Sequence, residues 1–288
     1  MDPAVKKAEE LIEKADKKLK SWFASFSGGK YEDAEELYSK AANQLKVAKQ
    51  WDRAGAAFEK AAACHVKMES AHEAARSYQD AALCYKKTNT AQAVLLYKEA
   101  VSIHIDLGRF TTAAKVQKEI GELYEAEGDT EKGMEAYQTA ADYYQAEENN
   151  STANQMLLKV ADLASTRKDY KRAVEIYEQV AIASLESNLL KFSVKNYLFS
   201  AGLCRLAIGE LGAAVDALDR YDGMDATFAG TREGMLLREI AAAFEGLDED
   251  AFTAKVREFD EIQRLDAQKT SLLLEIKNAI KNSVEDIT

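Results

Sequence analysis

"AGAAFEKAAACH", from Ala54 to His65, has alanine first, a ring four residues on and an alanine pair at offsets seven and eight. Offsets of 0, 4, 7 and 8 fall on one face of an α-helix. The same pattern precedes it in "AEELYSKAANQL" from Ala34 and follows it in "AARSYQDAALCY" from Ala74 and "AVLLYKEAVSIH" from Ala93. It continues in blocks starting at Ala113, Gly133, Ala153, Ala173 and Ser193. The step is 20 residues, except for 19 between Ala74 and Ala93. Small residues let neighbouring helices approach, and the ring fills the space between them. Two blocks make a helical hairpin of about 40 residues, longer than the roughly 34 of the tetratricopeptide unit. The expected fold is therefore all-α: a right-handed helical-hairpin solenoid, tetratricopeptide-like with longer helices, in which each unit buries its apolar face against its neighbours.

Turn signals fall where the period needs them, at Lys49–Asp52, Leu107–Arg109, Glu127–Asp129, Glu148–Ser151 and Arg167–Asp169. Asp129, Ser151 and Asp169 are expected N-caps. Pro3 is the one proline, so nothing beyond the first turn is barred from helix by proline. The pattern fades after Ala213. "ELGAAVDALDRYDGMDATFAGTREG", from Glu210, reads as glycine-rich and irregular, with helices expected over 229–246 and 248–283, the second broken near Leu265. This divides the chain into an opening helix and loop (1–30), a repeat array (31–205) and a C-terminal helical bundle with an acidic tail (206–288).

The formal net charge of −11 argues against general nucleic-acid binding, which needs a basic surface. No apolar run reaches the length of a membrane span, and the charged stretch Val5–Lys20 does not resemble a signal peptide. Cys64, Cys84 and Cys204 are scattered, with no CxxC, and read as buried small residues in a reducing cytosol. Catalytic motifs fail on inspection. Gly28-Gly29-Lys30 resembles the end of a phosphate loop, but Ala24 stands where the first glycine is needed and Tyr31 where a serine or threonine is. His65, His72 and His104 form no HExxH, and Cys64-His65 has no second ligand pair. The residues point to a helical binding scaffold, not an enzyme, with no metal or cofactor expected.

Specific stretches then resemble one family. They are "SWFASFSGG" (21–29), "AANQLKVAKQWDRAGAAF" (41–58), "DLGRFTTAAK" (106–115), "ADYYQAEENNSTANQMLLKVADL" (141–163), "LLKFSVKNYLFSAGLC" (189–204) and "EFDEIQRLD" (258–266). The chain is similar from end to end to the soluble NSF attachment proteins of the alpha/beta type. That resemblance implies a cytoplasmic, peripherally membrane-associated adaptor of vesicle fusion. It implies binding to the assembled four-helix SNARE bundle and recruitment of the hexameric ATPase NSF, which takes the bundle apart.

The family's membrane-attachment loop falls on Trp22, Phe23 and Phe26, beside Ser27-Gly28-Gly29 and after Lys17, Lys18 and Lys20. Aromatic rings favour the membrane boundary, and lysines supply a second, electrostatic signal. The family's SNARE-facing cations match Lys46, Lys49, Lys86, Lys87, Arg109, Lys115, Lys159, Lys191 and Lys195. Lys46, Lys49, Lys86 and Lys87 also stand at helix C-termini, where cations suit the dipole; Arg109 and Lys115 begin a helix and lack that reason. The NSF-facing acids match Glu245, Asp248, Glu249, Asp250, Glu285 and Asp286, with Ile287 where the family has a leucine next to the last residue. Residues 241–288 carry eleven acidic and six basic side chains, net −5. Two other readings of the repeat remain: a tetratricopeptide-like clamp for a peptide, and a subunit of a large helical assembly.

Overall fold

The structure, a computed structural model, describes residues 2–20, 29–187 and 190–285. Among the described residues it contains fourteen α-helices and no strand. They fall into two compact units, residues 1–153 and 154–288.

The first unit holds α1 (Pro3–Lys20), α2 (Lys30–Val47), α3 (Trp51–Lys67), α4 (Ala71–Tyr85), α5 (Thr90–Asp106), α6 (Phe110–Glu127) and α7 (Thr130–Ala146). Each helix packs antiparallel on the next, in chain order. Next-but-one helices therefore run parallel, and ion pairs tie some of them: Glu9–Arg53 at 2.8 Å and Asp16–Lys60 at 3.0 Å join α1 to α3. The repeat positions form the core. Ala34, Ala41 and Ala42, Ala54, Ala61 and Ala62, and Ala74, Ala81 and Ala82 are all fully buried. The rings fit close to the small residues: a Cβ on Gly121 would stand 2.9 Å from the Tyr137 ring. Helix α1 buries Val5, Ala8 and Ala15.

The turns explain the period. Lys49, Glu69, Gly108, Gly128, Glu148 and Lys168 all have positive φ, and they fall at multiples of 20 residues, less one between Glu69 and Gly108. A left-handed residue after the last helical turn returns the chain for the next helix. The connection between α4 and α5, residues 86–89, has four residues where its neighbours have three, follows a helix two residues shorter than α3 or α5, and has no left-handed residue. Lys86 there stays right-handed, and the Asn89 side chain accepts from the Gln92 N–H to cap α5. The step of 19 in the sequence is this shorter helix with its longer connection.

The second unit begins within α8 (Asn150–Thr166) and continues with α9 (Tyr170–Leu185), a three-ten turn (Lys191–Ser193), α10 (Val194–Ile208) and α11 (Leu211–Met224). After a three-ten turn at Phe228–Gly230 come α12 (Arg232–Glu245), α13 (Glu249–Ile262) and α14 (Ala267–Glu285). Helix α10 touches α9, α11, α12 and α14. Accordingly its buried residues run all round it: Val194, Leu198, Phe199, Leu203 and Leu206.

Four sequence expectations are corrected. Residues 211–224, read as irregular, form α11: Ala214, Ala217, Leu218 and Tyr221 make a three-four stripe that is buried, and glycines 212 and 223 sit at its ends. The second-last expected helix begins at Arg232 and not 229, because Thr231 Oγ1 accepts from the Gly234 N–H at 3.0 Å and caps it there. Helix α8 is capped by Asn149, whose Oδ1 accepts from the Thr152 N–H, and not by Ser151. The ninth block slips by one residue, since the three-ten turn rotates α10: Val194 and Leu198 are buried where Ser193 and Tyr197 were expected. Asp129 and Asp169 cap α7 and α9 as expected, and residues 263–266 break the last helical stretch beside Leu265.

Candidate functional site

In the first unit, α2, α4 and α6 run in one direction, so their C-terminal ends lie at one edge and their N-terminal ends at the other. Lys46, Lys49, Lys86 and Lys87 all lie at the C-terminal edge, close to or just past the ends of α2 and α4. Arg109, the residue before α6, and Lys115, in its second turn, lie toward the opposite edge. The fold thus brings four of these six cations to one edge and separates the other two from them.

Their surroundings also differ. Lys46 Nζ sits 5.5 Å from the centre of the Phe58 ring, in a polar slot. Lys86 Nζ is 2.9 Å from Glu119 Oε2 and ties the end of α4 to α6. Lys49, Lys87, Arg109 and Lys115 are exposed and make no ion pair among the described residues.

In the second unit, Lys159 is half-buried and its charge acts on the half-buried carboxyl of Asp162. Burial pushes the Asp162 pKa above its ordinary value, against hydrogen bonds from Tyr177 and Gln268 and the nearby lysines. Lys191 is exposed in the three-ten turn. Beside it stands Phe192, 77% exposed, a residue that sequence reasoning passed over. Its signal was present: "LLKF" (189–192) sets three large apolar residues beside one lysine in the sequence. Lys195 Nζ lies 2.9 Å from Glu233 Oε1, so this lysine is held within the bundle.

The acids expected to face NSF gather at the turn from α12 to α13. Glu245 ends α12 and is exposed, as is Asp250. Asp248 Oδ1 accepts from the Ala251 N–H at 2.8 Å and caps α13. Glu249 pairs with Lys277 of α14 at 3.2 Å. Asp248 and Glu249 therefore have structural duties, while Glu245 and Asp250 are open to a partner. Glu285 ends α14. Asp286 and Ile287, and the loop residues Trp22, Phe23 and Phe26, lie outside the described residues. Of the preceding lysines, Lys17 pairs with Glu13 at 2.6 Å and Lys18 with Asp33.

The described residues hold no His, Cys, Asp or Glu group arranged for a metal ion. Cys64, Cys84 and Cys204 are buried free thiols. Burial pushes the Cys64 pKa up to about 11 and the Cys204 pKa up to about 12, which leaves both thiols protonated and unreactive. No helix among the described residues is long and apolar enough to cross a membrane.

The family model "Soluble NSF attachment protein, SNAP" matches residues 6–281. The alpha-soluble NSF attachment protein of Vitis vinifera is 46% identical over 277 residues, covering 96% of this chain and 95% of that one. The probable vesicular-fusion protein sec17 homolog of Schizosaccharomyces pombe is 38% identical, covering 97% and 98%. Among solved structures, a STAND protein of Pyrococcus horikoshii with a tetratricopeptide repeat sensor aligns at a TM-score of 0.53 and 17% identity, covering 95% of this chain and 44% of that one. That likeness bears on the fold alone and agrees with a tetratricopeptide-like array of helical hairpins. On the family match and the near end-to-end identity with its relatives, the chain belongs to the soluble NSF attachment protein family.

Proposed function

We propose that the chain is an adaptor that binds assembled SNARE bundles, recruits NSF and stimulates its ATPase, so that SNAREs are taken apart and reused in vesicle-mediated transport. The single observation that carries this reading is the family match over residues 6–281. SNARE bundles are acidic along their length, and an elongated partner suits a repeat scaffold with spread-out cations. Lys49, Lys87, Arg109, Lys115 and Lys191 are the contacts, with Phe192 adding apolar area beside Lys191. Lys46, Lys86, Lys159 and Lys195 contribute field and position more than direct contact, because each already has a neighbour within the fold. Exposed ion pairs are each worth about 0–1 kcal/mol, so affinity comes from their number.

NSF is engaged through Glu245 and Asp250 at the α12–α13 turn, with Asp248 and Glu249 fixing that turn, and through the tail at Glu285, Asp286 and Ile287. Trp22, Phe23 and Phe26 attach the adaptor to the cytoplasmic face of the membrane, as a peripheral protein. The decisive experiment compares capture of assembled bundle with capture of the separate SNAREs, then adds NSF. Preference for the bundle, with stimulated ATP hydrolysis, is expected. Removal of residues 285–288 should spare bundle binding and abolish stimulation. Trp22→Ser with Phe23→Ser and Phe26→Ser should reduce co-flotation with anionic liposomes and slow disassembly of membrane-anchored complexes only. Equal binding to separate SNAREs, or no effect on NSF, would overturn the reading.

A further inference from the structure

Lys195 is the second residue of α10, and Glu233 is the second residue of α12. A cation in the first turn of a helix opposes the helix dipole. Glu233, at 2.9 Å, supplies the compensation. The two ends of this pair are unlike. The Lys195 side chain is 39% exposed, whereas that of Glu233 is 0% exposed. A partner can approach the ammonium from outside, but it cannot reach the carboxylate.

The carboxylate is held through one oxygen. Lys195 Nζ and Gln263 Nε2, the latter at 3.1 Å, both donate to Oε1, while Oε2 is buried with no partner among the described residues. Gln263 opens the break 263–266 between α13 and α14, the helices that carry Asp250 and Glu285. On the far side of that break, Gln268 of α14 donates to the Tyr177 hydroxyl at 3.1 Å and to the Asp162 carbonyl at 3.3 Å. The far side is thus tied to α8 and α9, and the near side is tied to Glu233. If Lys195 turns away, the carboxylate keeps only Gln263 and its own backbone N–H. A buried charge without its counter-ion is strongly unfavourable. Water relieves it, and water enters only if α12 and the break come apart.

We propose that Lys195 is a switch between two carboxylates, Glu233 in the free chain and one from the SNARE bundle in the complex, and that the exchange loosens the break between α13 and α14. The inference rests on the proposed binding of a SNARE bundle and adds a consequence to it: engagement at α10 is felt at the two helices that carry the NSF-facing acids. This gives the held lysine a role that the freely exposed cations lack. By reciprocity, whatever weakens the Lys195–Glu233 pair favours the SNARE bundle by the same factor.

Amide hydrogen exchange and SNARE-bundle affinity, both measured on the full chain, test it. Lys195→Gln alone should speed exchange at 234–236 and 263–265 by about tenfold relative to 272–280. Adding Glu233→Gln should restore slow exchange, because the stranded charge is what opens the contact. SNARE bundle added to the unaltered chain should speed exchange at the same residues. Glu233→Gln keeps the shape and releases the cation, so it should raise SNARE-bundle affinity about threefold. That gain should vanish in the Lys195→Gln background, whereas a gain from lost charge alone would persist there. Unchanged exchange in Lys195→Gln, unchanged or slower exchange at 263–265 with the SNARE bundle, or an affinity gain that survives without Lys195 would overturn the proposal. If the unaltered chain binds no SNARE bundle, the adaptor reading falls, and the tie from Lys195 to the break falls with it only if Lys195→Gln also leaves exchange unchanged.

Discussion

Lys195 and Glu233 join α10 to α12 by an ion pair of 2.9 Å in which Glu233 has no access to water. Gln263 Nε2, just past α13, donates to the same oxygen at 3.1 Å, while Glu233 Oε2 is buried without a partner. Burial opposes the charge on Glu233, but the Lys195 ammonium and hydrogen bonds from its own backbone and Gln263 hold its pKa below the ordinary 4.5. Removing the lysine strands a buried carboxylate. Lys195→Met should cost about 2–3 kcal/mol, less than a fully buried pair because the ammonium is partly solvated. The double variant Lys195→Met/Glu233→Met should recover most of that loss in urea unfolding. An additive double variant would show that the two residues do not act as a pair.

Arg109→Glu and Lys115→Glu should each weaken bundle binding by less than about 1 kcal/mol in moderate salt. Together they should cost more than either alone and flatten the dependence on ionic strength, since fewer attractions remain to be screened. Titrations across salt concentrations check both statements. Lys86→Glu is a contrasting case: it breaks the pair with Glu119 and should lower thermal stability as well as binding.

The buried tyrosines divide into two kinds. Tyr177 donates to Asp162 at 2.6 Å, whereas the Tyr97 hydroxyl is buried with no partner. Tyr177→Phe should therefore destabilise by about 1–2 kcal/mol, because it takes a donor from a half-buried carboxyl. Tyr97→Phe should be neutral or stabilising by up to about 1 kcal/mol. Paired denaturation curves would reveal any reversal of that order.

Glu148 occupies the left-handed turn position filled elsewhere by Gly108 and Gly128. Glu148→Gly relieves a conformation costing roughly 1–2 kcal/mol, set against about 0.5–1 kcal/mol of extra chain entropy lost on folding. A rise in melting temperature corresponding to a few tenths to about 1 kcal/mol is expected. The same change at Asn89, which is not left-handed and caps α5, should destabilise.

His104 is buried against Gln79, with its two ring nitrogens 2.9 Å from the amide and unpartnered respectively. Burial, then the nearby His72 and Arg109, lower its pKa from the ordinary 6.5. The unfolded chain takes up this proton first as pH falls. The stability tied to neutral His104 is therefore complete above pH 6.5 and declines as pH drops below it. Unfolding curves between pH 7.5 and 5 should show this loss, and His104→Gln should flatten it.

Helix positions were legible in the sequence because burial repeats. An alanine stripe with a ring every 20 residues has one way to hide its apolar face, and the 19-residue step marked the one turn built differently. The same reasoning failed at α11, where glycines near both ends masked a sound stripe from Ala214 to Tyr221. It also failed at α10, where a three-ten turn moved the buried face by one residue.

The candidate surfaces were legible as residue types but not as arrangements. Sequence and family resemblance set out nine cations and the acids of the α12–α13 turn. Whether a cation is free depends on what the fold sets beside it. Lys195 meets Glu233 from 38 residues away in the chain, and Lys86 meets Glu119 across a neighbouring helix. Periodic burial is a property of each helix alone and is written along the chain. Ion pairing and unsatisfied hydrogen bonds belong to pairs of helices, so only the packed structure decides them.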